Sequence, residues 1–112
     1  MVTTRPPILW EPDPNALSRL AEFTAFCEHA TSLQFATYNE FWEWSISDGL
    51  ERFWELLWKW CDIEASEPYS QVLSTRVMPG AKWFAGAKLN YAHHALRHLA
   101  DDAEVLVGIS QS

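Results

Sequence analysis

The 112-residue sequence is short of basic charge, glycine and cysteine, and it holds no long apolar run. Eight Lys and Arg face fifteen Asp and Glu, a formal net charge of −7. A nucleic-acid binder carries a basic footprint, and an anionic membrane surface attracts one. The charge balance therefore argues against both partners. No stretch approaches the ~18 uninterrupted apolar residues of a membrane span. Residues 1–14 lack the apolar core of a signal peptide, and no Asn-x-Ser/Thr sequon occurs, so the cytoplasm is the compartment expected. Cys27 and Cys61 are the only cysteines. They exclude a disulfide-rich scaffold and are expected as reduced, buried thiols.

What is plentiful is aromatic: seven Trp, six Phe and three Tyr. Each buried aromatic removes about 150–250 Å² from water, so this is a large apolar load for a short chain. A composition that is 48% hydrophobic also excludes a wholly disordered chain.

The expected fold is mostly α, with about four helices. An extended arm comes first, punctuated by Pro6, Pro7, Pro12 and Pro14, with Trp10 as an anchor packing back on the body. Ala16, Leu20, Phe23, Cys27 and Ala30 then recur at helical spacing, which predicts a helix over 15–29 capped by Asn15. Thr37 and Glu40 form a capping-box pattern that opens a second helix, with Tyr38, Phe41, Trp42 and Ser45 on one face. Asp48 and Glu51 repeat that logic for a third helix reaching Cys61. Its apolar residues Leu50, Phe53, Trp54, Leu56, Leu57, Trp58, Trp60 and Cys61 sweep an arc of roughly 200°, about twice an ordinary core-facing stripe. Such a helix wants neighbours on two sides, and Trp44, Trp58 and Trp60 are expected to include exposed members. Glu55 and Lys59 form a favourable i,i+4 pair on the polar face, where Glu51 also lies. Residues 62–88 read as irregular, and a fourth helix is expected over 90–99 with Ala92, Ala95, Leu96 and Leu99 inward. A C-terminal strand is expected at Val105–Ile109, with no partner strand to pair with.

Few residue constellations suggest chemistry. The segment from Gly80 to Lys88 places five residues between its glycines and Leu89 after the lysine. A phosphate loop needs four residues and then a hydroxyl, so a turn-rich connection is expected instead. His94 and His98 stand at metal-ligand spacing but lack a third ligand nearby. Cys27 and His29, two apart on a helix, do not face each other, which argues against a Cys–His nucleophile. No catalytic, cofactor-binding or metal-binding residue is assigned. All fifteen acids lie outside residues 68–98, where Arg76, Lys82, Lys88 and Arg97 sit with three histidines. That stretch is expected to meet the acidic part of its own protein.

Three blocks resemble a known family. Trp83-Phe84-Ala85-Gly86-Ala87-Lys88-Leu89-Asn90-Tyr91-Ala92 is similar to the Trp-Phe-Pro-Gly-Ala-(Arg/Lys)-Leu-Asn-Tyr-Ala motif of acetoacetyl-CoA synthetases. Tyr38-x-x-Phe41-x-x-Trp44-Ser45 followed by Phe53-Trp54-x-x-x-Trp58 resembles the N-terminal region shared by acetyl-CoA and acetoacetyl-CoA synthetases. Leu9-Trp10-x-Pro12 is similar to the acetoacetyl type. Ala85 replaces the usual Pro, and His93-His94 stand where Glu-Asn is usual.

The resemblance implies an N-terminal part of an adenylate-forming ligase. The full-length parent would use ATP, Mg²⁺ and CoA, none of them bound by this chain, since the phosphate loop, adenine-site motifs and catalytic Lys lie downstream. It divides the chain into an arm and first helix over 1–37, an acetyl-CoA synthetase N-terminal-like helical region over 38–98, and the start of the catalytic domain over 99–112. The C-terminal strand would begin that domain's sheet. Trp44, Phe53, Trp54, Trp83, Phe84, Gly86, Leu89, Asn90 and Tyr91 are then structural motif residues. The partner expected is the remainder of the ligase catalytic domain. The alternative is a stand-alone Trp-rich helical interaction module, left by truncation, that binds a partner or itself through the same face.

Overall fold

The computed structural model describes residues 6–13, 16, 18–104 and 106–109. The chain divides into two compact units, residues 1–60 and 61–112.

The first unit holds three helices, α1 (Arg19–Thr31), α2 (Tyr38–Ile46) and α3 (Leu50–Trp60). Helix α1 begins later than its periodicity suggests, because the Ser18 hydroxyl accepts the Ala21 N–H at 3.1 Å and satisfies an orphan donor there. Asn15, the expected cap, lies outside the described residues. The helix ends at Ser32, whose φ of 59° is left-handed. Helix α2 is capped as expected: the Thr37 hydroxyl accepts the Glu40 N–H at 3.2 Å. The Glu40 carboxylate, however, accepts from Ala36 N–H at 2.7 Å, one residue before the cap. Glu28 on α1 accepts the Phe35 N–H at 2.7 Å, so two helix-borne acids hold the connecting loop. At α3 the carbonyl of Gly49 accepts the Phe53 N–H at 2.7 Å. The N-cap position therefore falls on Gly49 and not on Asp48.

The core of this unit joins Phe23 and Cys27 of α1, Phe41 of α2 and Leu56 of α3. Phe26, Phe35, Trp44, Phe53, Leu57 and Trp60 pack around them. The exposed tryptophans are not the expected ones. Trp44, Trp58 and Trp60 are all half-buried, while Trp10, Trp42 and Trp54 are exposed. On α2 the inward face is Phe41 and Trp44, because α3 packs there, and Tyr38 and Trp42 turn out. Residues 6–13 carry no helix or strand, and Trp10 is 77% exposed, so it anchors nothing.

The second unit departs most from expectation. Residues 65–89 form four short strands, β1 (Ala65–Glu67), β2 (Gln71–Leu73), β3 (Trp83–Ala85) and β4 (Lys88–Leu89). The architecture is thus mixed α/β and not mostly α. Strands β2 and β3 pair antiparallel, Gln71 opposite Ala85 and Leu73 opposite Trp83. Strands β1 and β4 pair outside them, with an irregularity between Ala65 and Glu67. The Ser70 N–H and hydroxyl both reach the Ala85 carbonyl, at 2.8 and 3.0 Å. Leu73 is the buried apolar residue of this unit among those described. The short helix α4 (Tyr91–Leu96) follows. Ala92, Ala95, Leu96 and Leu99 are all exposed, and His94 and Arg97 are the half-buried residues of this segment. The expected inward face is therefore corrected: Arg97 draws its own side to the body through its hydrogen bonds. Residues 106–109 carry no strand, and Leu106 and Ile109 are each 92% exposed. Val105 lies outside the described residues.

Candidate functional site

The motif residues fall in both units. In the first, Trp44, Phe53 and Trp54 belong to one aromatic cluster. Phe53 lies at its centre, with ring centroids 5.5 Å from Phe23, 5.7 Å from Phe41, 6.3 Å from Trp44 and 5.6 Å from Trp54. Most of these pairs are edge-to-face or tilted, the arrangement favoured by the ring quadrupole. Trp54 covers the outer edge of Phe53 and stays 37% exposed.

In the second unit the motif forms a strand, a turn, a strand and a helix start. Trp83 lies opposite Leu73 in the β2–β3 ladder and is exposed. Phe84 meets Tyr69 edge-to-face at 5.3 Å. Its φ of 48° is left-handed, an uncommon state for a bulky residue. The Ala87 N–H closes the turn onto the Phe84 carbonyl at 3.1 Å. Gly86, third in that turn, has a φ of 91°, a conformation that suits glycine. Lys88 and Leu89 form β4, and Leu89 is 57% exposed. The Asn90 side chain caps α4 by accepting the His93 N–H at 3.0 Å. Tyr91, first in α4, is 86% exposed.

This geometry does not cradle a phosphate. Strand β3 separates Gly80 from Gly86, and the Lys88 ammonium pairs with Glu67 at 2.6 Å. Nor do His94 and His98 converge on a metal. Both meet Arg97, at 2.6 and 3.0 Å, and no group of three His, Cys, Asp or Glu among the described residues is placed to hold an ion. The residues described thus fit neither ATP phosphates nor Mg²⁺. The basic stretch meets the acidic segment that precedes it, as its charge suggests: Lys88 meets Glu67, Arg97 meets Asp62, and His93 meets Glu64.

The thiols differ from one another. Cys27 is wholly buried, and burial pushes its pKa up to about 11 against the opposing field of Arg52. Its neighbour in sequence, His29, is exposed. Cys61 is exposed, which corrects the expectation of two buried thiols; it follows the last residue of α3. Hydrogen bonding from Arg52 holds the Glu55 carboxyl below its ordinary range, with Lys59 adding to the effect against partial burial. No helix among the described residues is long and apolar enough to cross a membrane.

The second unit also holds an apolar cavity of about 300 Å³, bordered by Cys61, Ile63, Leu89 and Tyr91. Sequence reasoning missed it, as it missed the capping role of Asn90 and the specific partners of Arg97. The i,i+3 spacing from Asn90 to His93 is the capping signal that was available for Asn90.

Residues 38–95 match the family model described as acetyl-coenzyme A synthetase N-terminus. The acetoacetyl-CoA synthetase of Danio rerio is 33% identical over 107 residues, 94% of this chain and 16% of that protein. The acetoacetyl-coenzyme A synthetase of Rhizobium meliloti is 32% identical over 91 residues, 80% of this chain and 14% of that protein. The solved structure of acetoacetyl-CoA synthetase from Streptomyces lividans superposes with a TM-score of 0.73 at 42% identity, covering 82% of this chain and 15% of that one. The chain thus spans about 15% of the length of the relatives it matches.

Proposed function

The chain belongs to the acetyl-coenzyme A synthetase N-terminus family, and from that membership we propose that it forms the N-terminal structural layer of an acetoacetate–CoA ligase. It corresponds to the N-terminal part of an acyl-CoA ligase-like enzyme. The observation that carries the acetoacetate reading is the 42% identity to an acetoacetyl-CoA synthetase across most of this chain.

The parent reaction activates a carboxylate with ATP and Mg²⁺ as an acyl-adenylate and passes the acyl group to CoA. Those reactants belong to the parent, and this chain contributes packing, not chemistry. Its motif residues are structural: Trp44, Phe53 and Trp54 in the helical unit, and Trp83, Phe84, Gly86, Leu89, Asn90 and Tyr91 in the strand–turn–helix unit, where exposed Trp83, Leu89 and Tyr91 are left to meet the partner. Residues 1–37 serve as arm and first helix, 38–98 as the family's helical region, and 99–112 as the entry to the catalytic domain. The working compartment is the cytoplasm.

The partner is the remainder of the ligase catalytic domain. Tyr38, Trp42 and Ile46 support this reading, because they repeat every fourth residue along α2 and remain 66%, 46% and 55% exposed.

Incubation of the 112-residue chain with ATP, Mg²⁺, acetoacetate and CoA should release no AMP. Turnover would overturn the structural role. Sedimentation of the chain with and without Trp42→Ser tests the partner: a tight dimer lost in the variant would favour the self-associating module instead.

A further inference from the structure

The apolar cavity of about 300 Å³ in the second unit is walled by two segments, residues 61–64 and 89–94. Three contacts tie these segments together. Ala65 pairs with Leu89 in the β1–β4 ladder. The Glu64 carboxylate meets Nε2 of His93 at 2.9 Å. Beyond α4, the Arg97 guanidinium, 8% exposed, donates to the Cys61 carbonyl at 3.3 Å and to Asp62 at 3.4 Å. The cavity is therefore framed by the fold, and a guest need not organise it.

The lining selects the guest. Cys61, Ile63, Leu89 and Tyr91 give walls that are almost wholly apolar. The polar groups at the border are committed to protein partners. The Asn90 side-chain oxygen accepts the His93 N–H at 3.0 Å, Nδ1 of His94 lies 2.6 Å from Nη1 of Arg97, and Glu64 is held by His93. A polar guest would give up its water there without recovering its hydrogen bonds. An anion would also meet the Glu64 carboxylate, in a chain of net charge −7. A neutral apolar guest strands no polar group and covers the Ile63, Leu89 and Tyr91 side chains. An apolar cavity of ~150 Å³ holds a benzene ring, so this one has room for a ring with a short alkyl arm.

We propose that the cavity bordered by Cys61, Ile63, Leu89 and Tyr91 is a binding site for a small, neutral, apolar molecule of about one substituted ring. The inference does not rest on the ligase reading. ATP, CoA and acetoacetate are anions, the class that this lining disfavours, so the site is separate from the parent reaction.

Titration of the 112-residue chain with toluene tests the site, read in carbon-13 methyl spectra. The Ile63 and Leu89 methyls should shift and saturate. Benzoate, similar in size but anionic, should leave them in place at the same concentrations. The Cys61 thiol gives a second reading, because it lies on the cavity wall. At twice its dissociation constant toluene leaves one chain in three empty, so labelling of Cys61 by a disulfide reagent should slow about threefold. Leu89→Ser should weaken toluene binding about tenfold, the scale of losing part of one Leu contact. Tyr91→Ser should weaken it as well. Leu89 and Tyr91 are 57% and 86% exposed, so both variants should keep the circular dichroism of the native chain. A response that never saturates, or that benzoate matches, overturns the proposal. So does unchanged binding in both variants. Movement of the same methyls with protein concentration alone would give the cavity to a second copy, and that too would overturn it. None of these failures touches the AMP-release or Trp42 outcomes that test the ligase reading.

Discussion

The indole of Trp44 lies directly against the backbone of Gly49, in the space that a Cβ at that position would take. The same two residues are joined by a hydrogen bond from the Gly49 N–H to the Trp44 carbonyl at 2.9 Å. The corner between α2 and α3 is therefore closed by an aromatic ring folded over a residue without a side chain. Gly49 is needed here for close approach. Its φ is not in the left-handed range that Gly80 and Gly86 occupy.

Gly49→Ala should consequently destabilise the helical unit by about 1–3 kcal/mol, the usual cost of overpacking. Gly49 is also the N-cap of α3, where glycine is preferred to alanine, so a capping loss adds to the overpacking. Chemical denaturation of both proteins reads the sign directly, and a more stable variant would refute the close-packed corner.

Thiol chemistry should separate the cysteines. The Cys27 thiol, enclosed and raised to about 11, stays protonated at pH 8, whereas Cys61 is open to reagent. A disulfide reagent should label one thiol per native chain and two after denaturation. The raised value also sets a stability trend. Burial of the neutral thiol stabilises fully below the unfolded value near 9.0, and that contribution fades as pH climbs towards 11.

Truncation should cost most where the three helices meet. Leu56 is 1% exposed, so Leu56→Ala should lose about 2–5 kcal/mol through lost burial and a residual cavity. Trp42, 46% exposed, should lose less than about 1 kcal/mol on change to Ala in the isolated chain. Equal losses at the two positions would contradict the assigned inward face of α2.

Glu55 links Arg52 and Lys59 along α3. Its carboxyl is held below the ordinary range, so its stabilising effect is present above the unfolded value near 4.5 and is lost as pH falls through the folded one. Exposed helical pairs contribute about 0.3–0.5 kcal/mol each. Glu55→Gln should thus lower stability by less than about 1 kcal/mol at pH 7. Melting curves of the two proteins should converge in strong acid.

Local signals in the sequence reached the three helices of the first unit. Phe53, Leu56, Leu57 and Trp60 recur at helical spacing, and that stripe alone specifies an amphipathic helix. Thr37 marks a cap because its hydroxyl acts three residues away. The strands were not legible in this way. Each is two or three residues long, too short for alternation to register, and partners such as Gln71 and Ala85 lie fourteen residues apart in sequence. The motif block was legible as a likeness to a family, though its form as strand, turn, strand and helix cap was not.

The sequence by itself determined the helical stripes, the acidic balance, the family likeness and the segregation of charge that lets Lys88, His93 and Arg97 meet acids from residues 62–67. These rest on local spacing and on charge, both written in one dimension. Only the tertiary structure decided which tryptophans stay exposed, which thiol is sheltered, and that Arg97 sits between two imidazoles beside residues 61–64. Those outcomes depend on how the chain folds back on itself, where one neighbour's shape selects another's rotamer and covers it from water.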